Sequence, residues 1–181
     1  MTFVFVRRAE DNRLVSQQEH KASAPVSIGC YVLTVSDTRT PATDTSGAAI
    51  AALIESAGHR IVGRDIVKDD PGRVAAQVSA AIAREDVQAV ITTGGTGITA
   101  RDSTFEAVDA LLEKRLDGFG ELFRMLSYAD IGPAAMLSRA TAGTAGGRIV
   151  FVLPGSEGAV RLAMEKLIVP ELGHLVQQVT K

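Results

Sequence analysis

Short continuous apolar runs and helical apolar stripes alternate along this chain. The runs are rich in β-branched residues, which is typical of strands buried on both faces of a sheet. They cover residues 28–35, 60–67, 87–93 and 149–153. Stripes at three- and four-residue spacing follow them and predict helices that begin at Thr45, Pro71 and Ser103 and around Val160. The alternation predicts an α/β fold, a three-layer α/β/α sandwich with a mostly parallel central sheet.

Three local signals set the expected ends of these elements. Ser103 and Glu106 have the spacing of a capping box, in which each side chain binds the backbone N–H of the other residue. Pro170 is expected to end the helix that follows the last run, with a final helix over about 171–178. The glycine-rich stretch 141–147 predicts a hairpin or loop rather than a binding site.

The apolar periodicity begins near residue 26, so we predict one domain over 26–181 and an N-terminal extension over 1–25. The extension is polar after a four-residue apolar run at 3–6, which is too short for a signal peptide or a membrane helix. We therefore expect a cytoplasmic protein that does not enter a membrane. The extension is interpreted either as a segment docked on a neighbouring subunit or as a mobile tail.

Composition and charge exclude several classes of protein. The 181 residues include 19 Lys and Arg against 21 Asp and Glu, and a net charge of −2 argues against a nucleic-acid binder. Residues classed as hydrophobic make up 46%, which argues against disorder. The single cysteine, Cys30, excludes an internal disulfide, and its place in the first run predicts a core position. With 17 glycines and 4% aromatic residues, we expect ligands to be held by backbone groups rather than by stacked rings.

Ligands of parallel sheets bind beyond the carboxyl ends of the strands, and this rule selects four loops. The strongest signal is Gly94-Gly95-Thr96-Gly97, because three glycines after a strand let backbone N–H groups turn toward an anion. The helix beginning at Ser103 adds its positive end, and Arg101 adds a cation. The pattern predicts a phosphate cradle or, alternatively, a tight turn that needs glycine φ angles. It is not a Walker loop, because no Gly-Lys-Ser/Thr follows.

Two carboxylates adjoin these loops. Asp102 beside a phosphate loop is unfavourable unless a cation lies between them, and Mg²⁺ prefers carboxylate and phosphate oxygens. Asp102 therefore indicates a Mg²⁺-nucleotide or, alternatively, an anion stabilised by the helix dipole. In the loop 68–71, Asp70 is explained as the helix cap before Pro71, which leaves Asp69 as the better functional candidate.

The two remaining loops carry weaker signals. Ser36-Asp37-Thr38-Arg39 ends the first run, and its guanidinium could bind a phosphate, although a solvated polar turn explains the pattern equally well. Pro154-Gly155-Ser156 forms a second glycine turn ahead of a helix and is a second candidate anion site.

In chain order the loops present five motifs. These are Thr34-Val35-Ser36-Asp37, Asp44-Thr45-Ser46-Gly47, Thr92-Thr93-Gly94-Gly95-Thr96-Gly97, Arg101-Asp102 and Leu153-Pro154-Gly155-Ser156. The ordered set resembles the MoaB and MogA family of molybdenum cofactor biosynthesis proteins, whose fold is shared by gephyrin and plant Cnx domains. The resemblance covers about 26–176, and Leu137-Ser138-Arg139-Ala140 favours the MoaB branch.

The resemblance implies the three-layer fold and a protein that binds molybdopterin, a pterin bearing a dithiolene and a phosphate. Active members of the family transfer AMP from Mg-ATP to that phosphate and release pyrophosphate, so the expected enzyme is a molybdopterin adenylyltransferase. The family also implies a homo-oligomer, a trimer or a hexamer, and contacts with other molybdenum-cofactor enzymes. A non-catalytic pterin carrier and an oligomeric scaffold are the alternatives on the same fold.

The family's two essential carboxylates fall on Asp69 and Asp102, which are the expected catalytic and Mg²⁺-binding residues. The expected substrate- and nucleotide-binding residues are Ser36, Asp37, Thr38, Arg39, Ser46, Gly94, Gly95, Thr96, Gly97, Arg101, Ser103, Thr104, Pro154, Gly155 and Ser156. The chain departs from the family where Lys68 and Phe105 replace prolines and where Ser156-Glu157 replaces Asn-Pro. Glu157 would repel a phosphate if it faced the pocket.

Overall fold

The computed structural model describes residues 27–100 and 102–181, so the predicted N-terminal extension 1–25 and the site candidate Arg101 lie outside the described residues. The strands are β1 Gly29–Val35, β2 Arg60–Val67, β3 Ala89–Thr93, β4 Lys114–Arg115, β5 Thr141–Ala145 and β6 Arg148–Leu153. The α-helices are α1 Thr45–Ser56, α2 Pro71–Ile82, α3 Thr104–Asp109, α4 Asp117–Ile131, α5 Glu157–Ala163 and α6 Val169–Val179. A 3₁₀ helix, Gly132–Leu137, follows α4, and a π-helical turn, Met164–Ile168, joins α5 to α6.

All six strands form one sheet in the order β2-β1-β3-β6-β5-β4. The first four of these are parallel, whereas β5 and β4 are added antiparallel. The mostly parallel sheet predicted from the sequence is therefore confirmed. Thr34, Thr93 and Leu153 are in register at the carboxyl ends of β1, β3 and β6. The loops that follow these three strands consequently begin side by side at one edge of the sheet.

Apolar side chains of β1 alternate between the two faces of the sheet and enter two separate cores. Cys30 and Val32 pack with residues of α1, α4, α5 and α6, whereas Tyr31 and Leu33 pack with residues of α2 and α3. The three-layer α/β/α sandwich is confirmed. Cys30 is fully buried, as predicted, and burial raises the pKa of its thiol to about 12, which makes it an unreactive core residue.

Two of the local predictions are wrong and one is confirmed. Ser103 precedes α3 but makes no capping bond, because its hydroxyl donates to Asp69 Oδ1 at 3.2 Å in another loop. Pro170 does not end the helix, because the π-helical turn before it changes the hydrogen-bond spacing where the proline lacks its N–H. The predicted hairpin joins β5 to β6 through Gly146 and Gly147, both at positive φ.

Among the described residues, no helix combines the length and the apolar character needed to cross a membrane. The cytoplasmic location stays a prediction of the sequence.

A buried carboxylate ties α1 to the sheet. Asp44 is 3% exposed and caps α1 by accepting the Gly47 N–H at 2.9 Å. Its other oxygen accepts the Thr34 hydroxyl of β1 at 2.9 Å and the Arg64 guanidinium of β2 at 2.7 Å. Burial alone would disfavour the charged form, but these three donors together hold the pKa of Asp44 below its ordinary value.

We expect Asp44→Asn to destabilise the fold by about 1–3 kcal/mol at pH 7, because it leaves Arg64 without its buried partner. Since the pKa of Asp44 is lower in the folded than in the unfolded chain, its contribution is complete above the unfolded value of about 3.9. The contribution is lost as the pH falls through the folded value. Urea unfolding at a series of pH values measures the free energy of unfolding of wild type and variant. The difference between the two free energies should become smaller below about pH 4.

The control is Asp86→Asn, which removes the charge of an exposed partner of Arg84. This variant should lower the free energy of unfolding by less than Asp44→Asn does at neutral pH. If the loss of unfolding free energy in Asp44→Asn stays constant from neutral pH into the acid range, the stabilisation does not depend on the ionisation of Asp44.

Candidate active site

Three strand ends approach one another at Gly94 so closely that side chains are excluded. The Gly94 N–H donates to the Leu153 carbonyl at 3.1 Å, and the Thr93 hydroxyl donates to the Pro154 carbonyl at 2.8 Å. Gly94 has a φ of +98°, and a Cβ atom there would lie 2.2 Å from the Val35 carbonyl oxygen. A Cβ at Gly155 would lie 3.1 Å from the Gly94 Cα. The glycines predicted for a phosphate loop are thus required by backbone packing as well.

A cavity of about 200 Å³ lies beside this junction. Its lining residues are Thr34, Val35, Ser36, Arg39, Asp44, Ser46, Thr93, Gly94, Gly95 and Gly155. A second cavity of about 500 Å³ shares Ser36 and Arg39 with the first and has Pro41, Ile66 and Val67 among its walls. The smaller space has the size and polarity for a phosphate group, and the larger one falls in the range of small-molecule sites.

The predicted residues at the rim are held by local hydrogen bonds. The Ser46 hydroxyl donates to the Gly155 carbonyl at 2.9 Å, which joins the start of α1 to the loop after β6. The Ser36 hydroxyl accepts the N–H groups of Thr38 and Arg39 at 3.3 and 3.1 Å. The Arg39 guanidinium donates to the Thr43 carbonyl and lines both cavities. The turn from Ser36 to Arg39 is therefore an ordered wall, with the Asp37 and Thr38 side chains exposed.

Asp69 and Thr104 meet at Gly95. Gly95 has a φ of +63°, and a Cβ there would lie 2.1 Å from Thr104 Oγ1 and 2.7 Å from Asp69 Oδ2. The Thr104 N–H donates to the Gly95 carbonyl at 3.0 Å. The Thr104 hydroxyl is fully buried and has no hydrogen-bond partner among the described residues. An unpartnered buried hydroxyl beside a carboxylate marks a place where a ligand or cation would satisfy both groups.

Asp102 closes the loop that follows Gly97. One of its oxygens accepts the Thr99 hydroxyl at 2.6 Å and the Thr99 N–H at 3.0 Å. The Thr99 hydroxyl lowers the pKa of Asp102 against a small desolvation penalty, and the Thr99 and Gly97 N–H groups and the charge of Arg139 lower it further. Asp102 is therefore an anion throughout the neutral range.

Glu157 is paired with an arginine of its own helix. Its carboxylate lies 2.9 Å from the Arg161 guanidinium one turn along α5. The Ser156 hydroxyl caps the same helix by accepting the Ala159 N–H at 3.3 Å. The pairing offsets the charge of Glu157 next to the Gly155 turn.

The structure brings together most, though not all, of the predicted site. Ser36, Arg39, Ser46 and the glycines 94, 95 and 155 line the small cavity, and Asp69, Ser103 and Thr104 adjoin it through Gly95. Thr96, Gly97 and Asp102 follow on the same loop but line neither of the two cavities. In the ranges 27–100 and 102–181, no three acidic, histidine or cysteine side chains cluster closely enough to hold a metal ion by themselves.

Sequence reasoning missed Arg139 as a site residue. This side chain donates to the Gly97 carbonyl at 3.0 Å and pairs with Glu106, although 42 residues separate it from Gly97. The signal in the sequence is the Leu137-Ser138-Arg139-Ala140 motif, which does not show by itself which loop the arginine contacts.

Comparison with known proteins places the chain in a family. The domain family described as "Probable molybdopterin binding domain" matches residues 31–174. Molybdenum cofactor biosynthesis protein B of Bacillus cereus is 56% identical over 162 residues, which cover 89% of this chain and 96% of that protein. The Bacillus subtilis protein of the same name is 52% identical over 168 residues, 92% of this chain and 99% of that protein.

Solved structures show the same relationship. A crystal structure of molybdenum cofactor biosynthesis protein B superposes with a TM-score of 0.84 at 55% identity, covering 87% of this chain and 98% of that chain. The tungsten cofactor synthesizing protein MoaB from Pyrococcus furiosus superposes with a TM-score of 0.77 at 38% identity, covering 87% and 100%.

The family match and the shared fold thus assign residues 31–174 to the class of domain described as "Probable molybdopterin binding domain". The chain belongs to the MoaB/MogA family of molybdenum cofactor biosynthesis proteins.

We expect Gly94→Ala to destabilise the fold by about 2–4 kcal/mol, because the added Cβ meets the Val35 carbonyl and the positive φ is strained for alanine. The matched control is Gly118→Ala in α4, where nothing lies within 4 Å of the new Cβ. That change should leave stability unaltered or raise it by up to about 1 kcal/mol. Thermal unfolding of both variants measures the difference, and equal stability of the two would contradict the close approach.

Proposed function

We propose that this protein is a molybdopterin adenylyltransferase, which transfers AMP from Mg-ATP to the phosphate of molybdopterin and releases pyrophosphate. The proposal is carried by one observation. Asp69 Oδ2 and the buried, unpartnered Thr104 hydroxyl lie on the same side of Gly95, both within 2.7 Å of where a Cβ would stand, and Gly95 itself lines the small cavity. A carboxylate, a hydroxyl and backbone N–H groups in one place can bind phosphate groups that are coordinated to a hard cation such as Mg²⁺.

The reaction needs two anionic substrates to be brought together. An oxygen of the pterin phosphate forms a bond to the α-phosphorus of ATP, and the bond from that phosphorus to the bridging oxygen of pyrophosphate breaks. The attacking phosphate is already ionised, so no protein nucleophile or general base is required. The chain's task is to orient the two phosphates and to stabilise the charge that develops at phosphorus.

The residues present fit Mg²⁺. The ligand atoms of Asp69, Asp102 and Thr104 are all oxygens. These residues include only two carboxylates, which are too few to enclose the ion, so substrate phosphates would complete its coordination. When bound, Mg²⁺ neutralises phosphate charge. The ordinary pKa of an aspartate is already acidic and that of Asp102 is lowered further, so its carboxylate is ionised and available to a cation in the neutral range.

The remaining predicted residues have supporting roles in this proposal. The N–H groups of Gly95 and Thr96 and of the turn at Gly155 and Ser156 would donate to the phosphates of the two substrates, while Pro154, which has no N–H, and Gly94, whose N–H is bonded to the Leu153 carbonyl, shape the loops. Arg39 and Lys68 bring positive charge to the larger cavity. Pro41, Ile66 and Val67 give that cavity an aliphatic wall for the flat pterin or adenine ring.

Asp69→Asn and Asp102→Asn should each lower the turnover of molybdopterin and Mg-ATP by about 100-fold or more, because each removes a charge needed by the cation and its phosphates. The matched control is Asp70→Asn. Asp70 is the neighbouring carboxylate, but it caps α2 through the Arg73 N–H at 2.8 Å, and asparagine caps helices equally well. The control should keep its turnover. The measurement is release of pyrophosphate together with chromatography of adenylylated pterin.

A wild-type protein that binds molybdopterin tightly and forms no adenylylated product would contradict the proposal and favour the non-catalytic carrier. A stable oligomer that binds neither molybdopterin nor ATP would favour the scaffold instead. The expected cytoplasmic location and contacts with other molybdenum-cofactor enzymes belong to the same proposal.

We also propose that the chain forms a homo-oligomer, a trimer or a hexamer, through the apolar face of α4 and the 3₁₀ helix. Six large apolar side chains there are between 48% and 76% exposed: Leu122, Met125, Tyr128, Ile131, Met136 and Leu137. The first four follow three-residue spacing along α4, so they form a stripe that winds about halfway around the helix. An exposed apolar stripe of this size is typical of a protein–protein interface.

Met125→Glu should dissociate the oligomer, because it introduces a charge at the centre of the α4 stripe. Analytical ultracentrifugation at micromolar concentration should then show a monomer in place of the wild-type assembly. Ala80→Glu, on the exposed surface of α2, is the control and should leave the assembly intact. A wild-type protein that is monomeric at micromolar concentration would contradict the proposed homo-oligomer.

A further inference from the structure

We propose that Arg139 is a positioning residue that fixes the loop carrying Asp102 for adenylyl transfer, an inference that rests on the proposed function. Arg139 follows the 3₁₀ helix and precedes β5, so it comes from a different part of the chain than the loop it contacts. It was not among the residues expected to bind substrate.

The Arg139 guanidinium is held on three sides. One nitrogen donates to the Gly97 carbonyl at 3.0 Å, and another forms an ion pair with Glu106 of α3. The guanidinium carbon lies 4.4 Å from the centroid of the Phe105 ring, within cation–π distance. The side chain is 24% exposed. A planar group fixed at two edges and one face has little freedom, so the Gly97 carbonyl that it binds is fixed as well.

Gly97 transmits this constraint to Asp102. A Cβ at Gly97 would lie 2.6 Å from Asp102 Oδ2, so the two residues are in direct contact. The bonds between Thr99 and Asp102 close the loop on itself but do not attach it to the rest of the fold. Arg139 supplies such an attachment, because its own backbone continues directly into the central sheet.

Phe105 and Glu106, the two other partners of Arg139, belong to the first turn of α3. Thr104 of the same turn meets Gly95. Arg139 therefore ties the start of α3 to the far end of the glycine loop. The Phe105 ring gives the guanidinium an aromatic face to pack on.

Arg84 offers a matched control within the same chain. It donates to the Val62 carbonyl at 2.8 Å, pairs with Asp86 and lies 5.8 Å from the centroid of the Tyr31 ring. These are the same three kinds of contact that Arg139 makes. Arg84 lies between α2 and β3, where β3 begins, and so at the edge of the sheet opposite to the site.

The experiment compares Arg139→Ala, Arg139→Lys and Arg84→Ala by hydrogen exchange and by steady-state kinetics. In Arg139→Ala we expect the amides of 95–102 to exchange about 5-fold faster or more, since the loop loses its attachment. We expect kcat to fall about 10- to 100-fold while the KM for Mg-ATP changes by less than about 3-fold, because orientation is lost rather than binding. Arg139→Lys should recover part of kcat, whereas Arg84→Ala should change neither the exchange of the loop nor kcat.

Glu106→Gln provides a second variant in case Arg139→Ala does not fold. It keeps the arginine but removes the charge of its partner, and it should shift loop exchange and kcat in the same direction by a smaller factor. Unchanged exchange at 95–102 in both Arg139→Ala and Glu106→Gln would overturn the inference. So would a kinetic loss that falls entirely on KM. If the wild-type protein forms no adenylylated pterin, the proposed function fails, and the exchange measurement still decides whether Arg139 positions the loop.

Discussion

The site depends on the approach of three backbone segments at Gly94. The ends of β1, β3 and β6 are in register, and the chain can leave β3 between its two neighbours only if no side chain occupies the space next to the Val35 carbonyl. Glycine meets this requirement because it has no Cβ and adopts the positive φ of the junction without strain. The 200 Å³ space between these loops follows directly from that geometry.

The carboxylates around this junction divide into structural and chemical groups according to their partners. Asp44 accepts from Gly47, Thr34 and Arg64, is almost completely buried, and holds α1 against the sheet. Asp70 caps α2. Asp69 accepts the Ser103 hydroxyl and lies close to the unpartnered Thr104 hydroxyl, whereas Asp102 accepts the hydroxyl and the N–H of Thr99 within its own loop. The two carboxylates that the proposed chemistry needs therefore bind groups of the site loops, whereas Asp44 and Asp70 each fix the start of a helix.

Much of the fold could be predicted because its parallel strands are continuous apolar runs. The bounds predicted for β2, Arg60–Val67, are those of the structure. The predicted first residues of β1 and β3 differ from the observed ones by one and two residues. Of the two antiparallel strands, β4 was not predicted and β5 was predicted only as part of a hairpin or loop over 141–147. β5 consists of alanine, glycine and threonine without an apolar pattern, and β4 has two residues, so neither carries a periodic signal. The π-helical turn ahead of Pro170 also has no local signature.

The sequence by itself determined the order of strands and helices, the loops at the carboxyl edge and the glycines and carboxylates they carry. These follow from periodicity and backbone conformation, which are properties of short segments. Only the tertiary structure decided that Ser103 serves Asp69 rather than its own helix, that Thr104 is buried without a partner, and that Arg139 binds Gly97. The two hydrogen bonds join residues 34 and 42 positions apart, and the burial of Thr104 depends on the packing of α3 against the glycine loop. Such contacts exist only once the loops have been brought to the same edge of the sheet, because no local pattern records which distant group a side chain will meet.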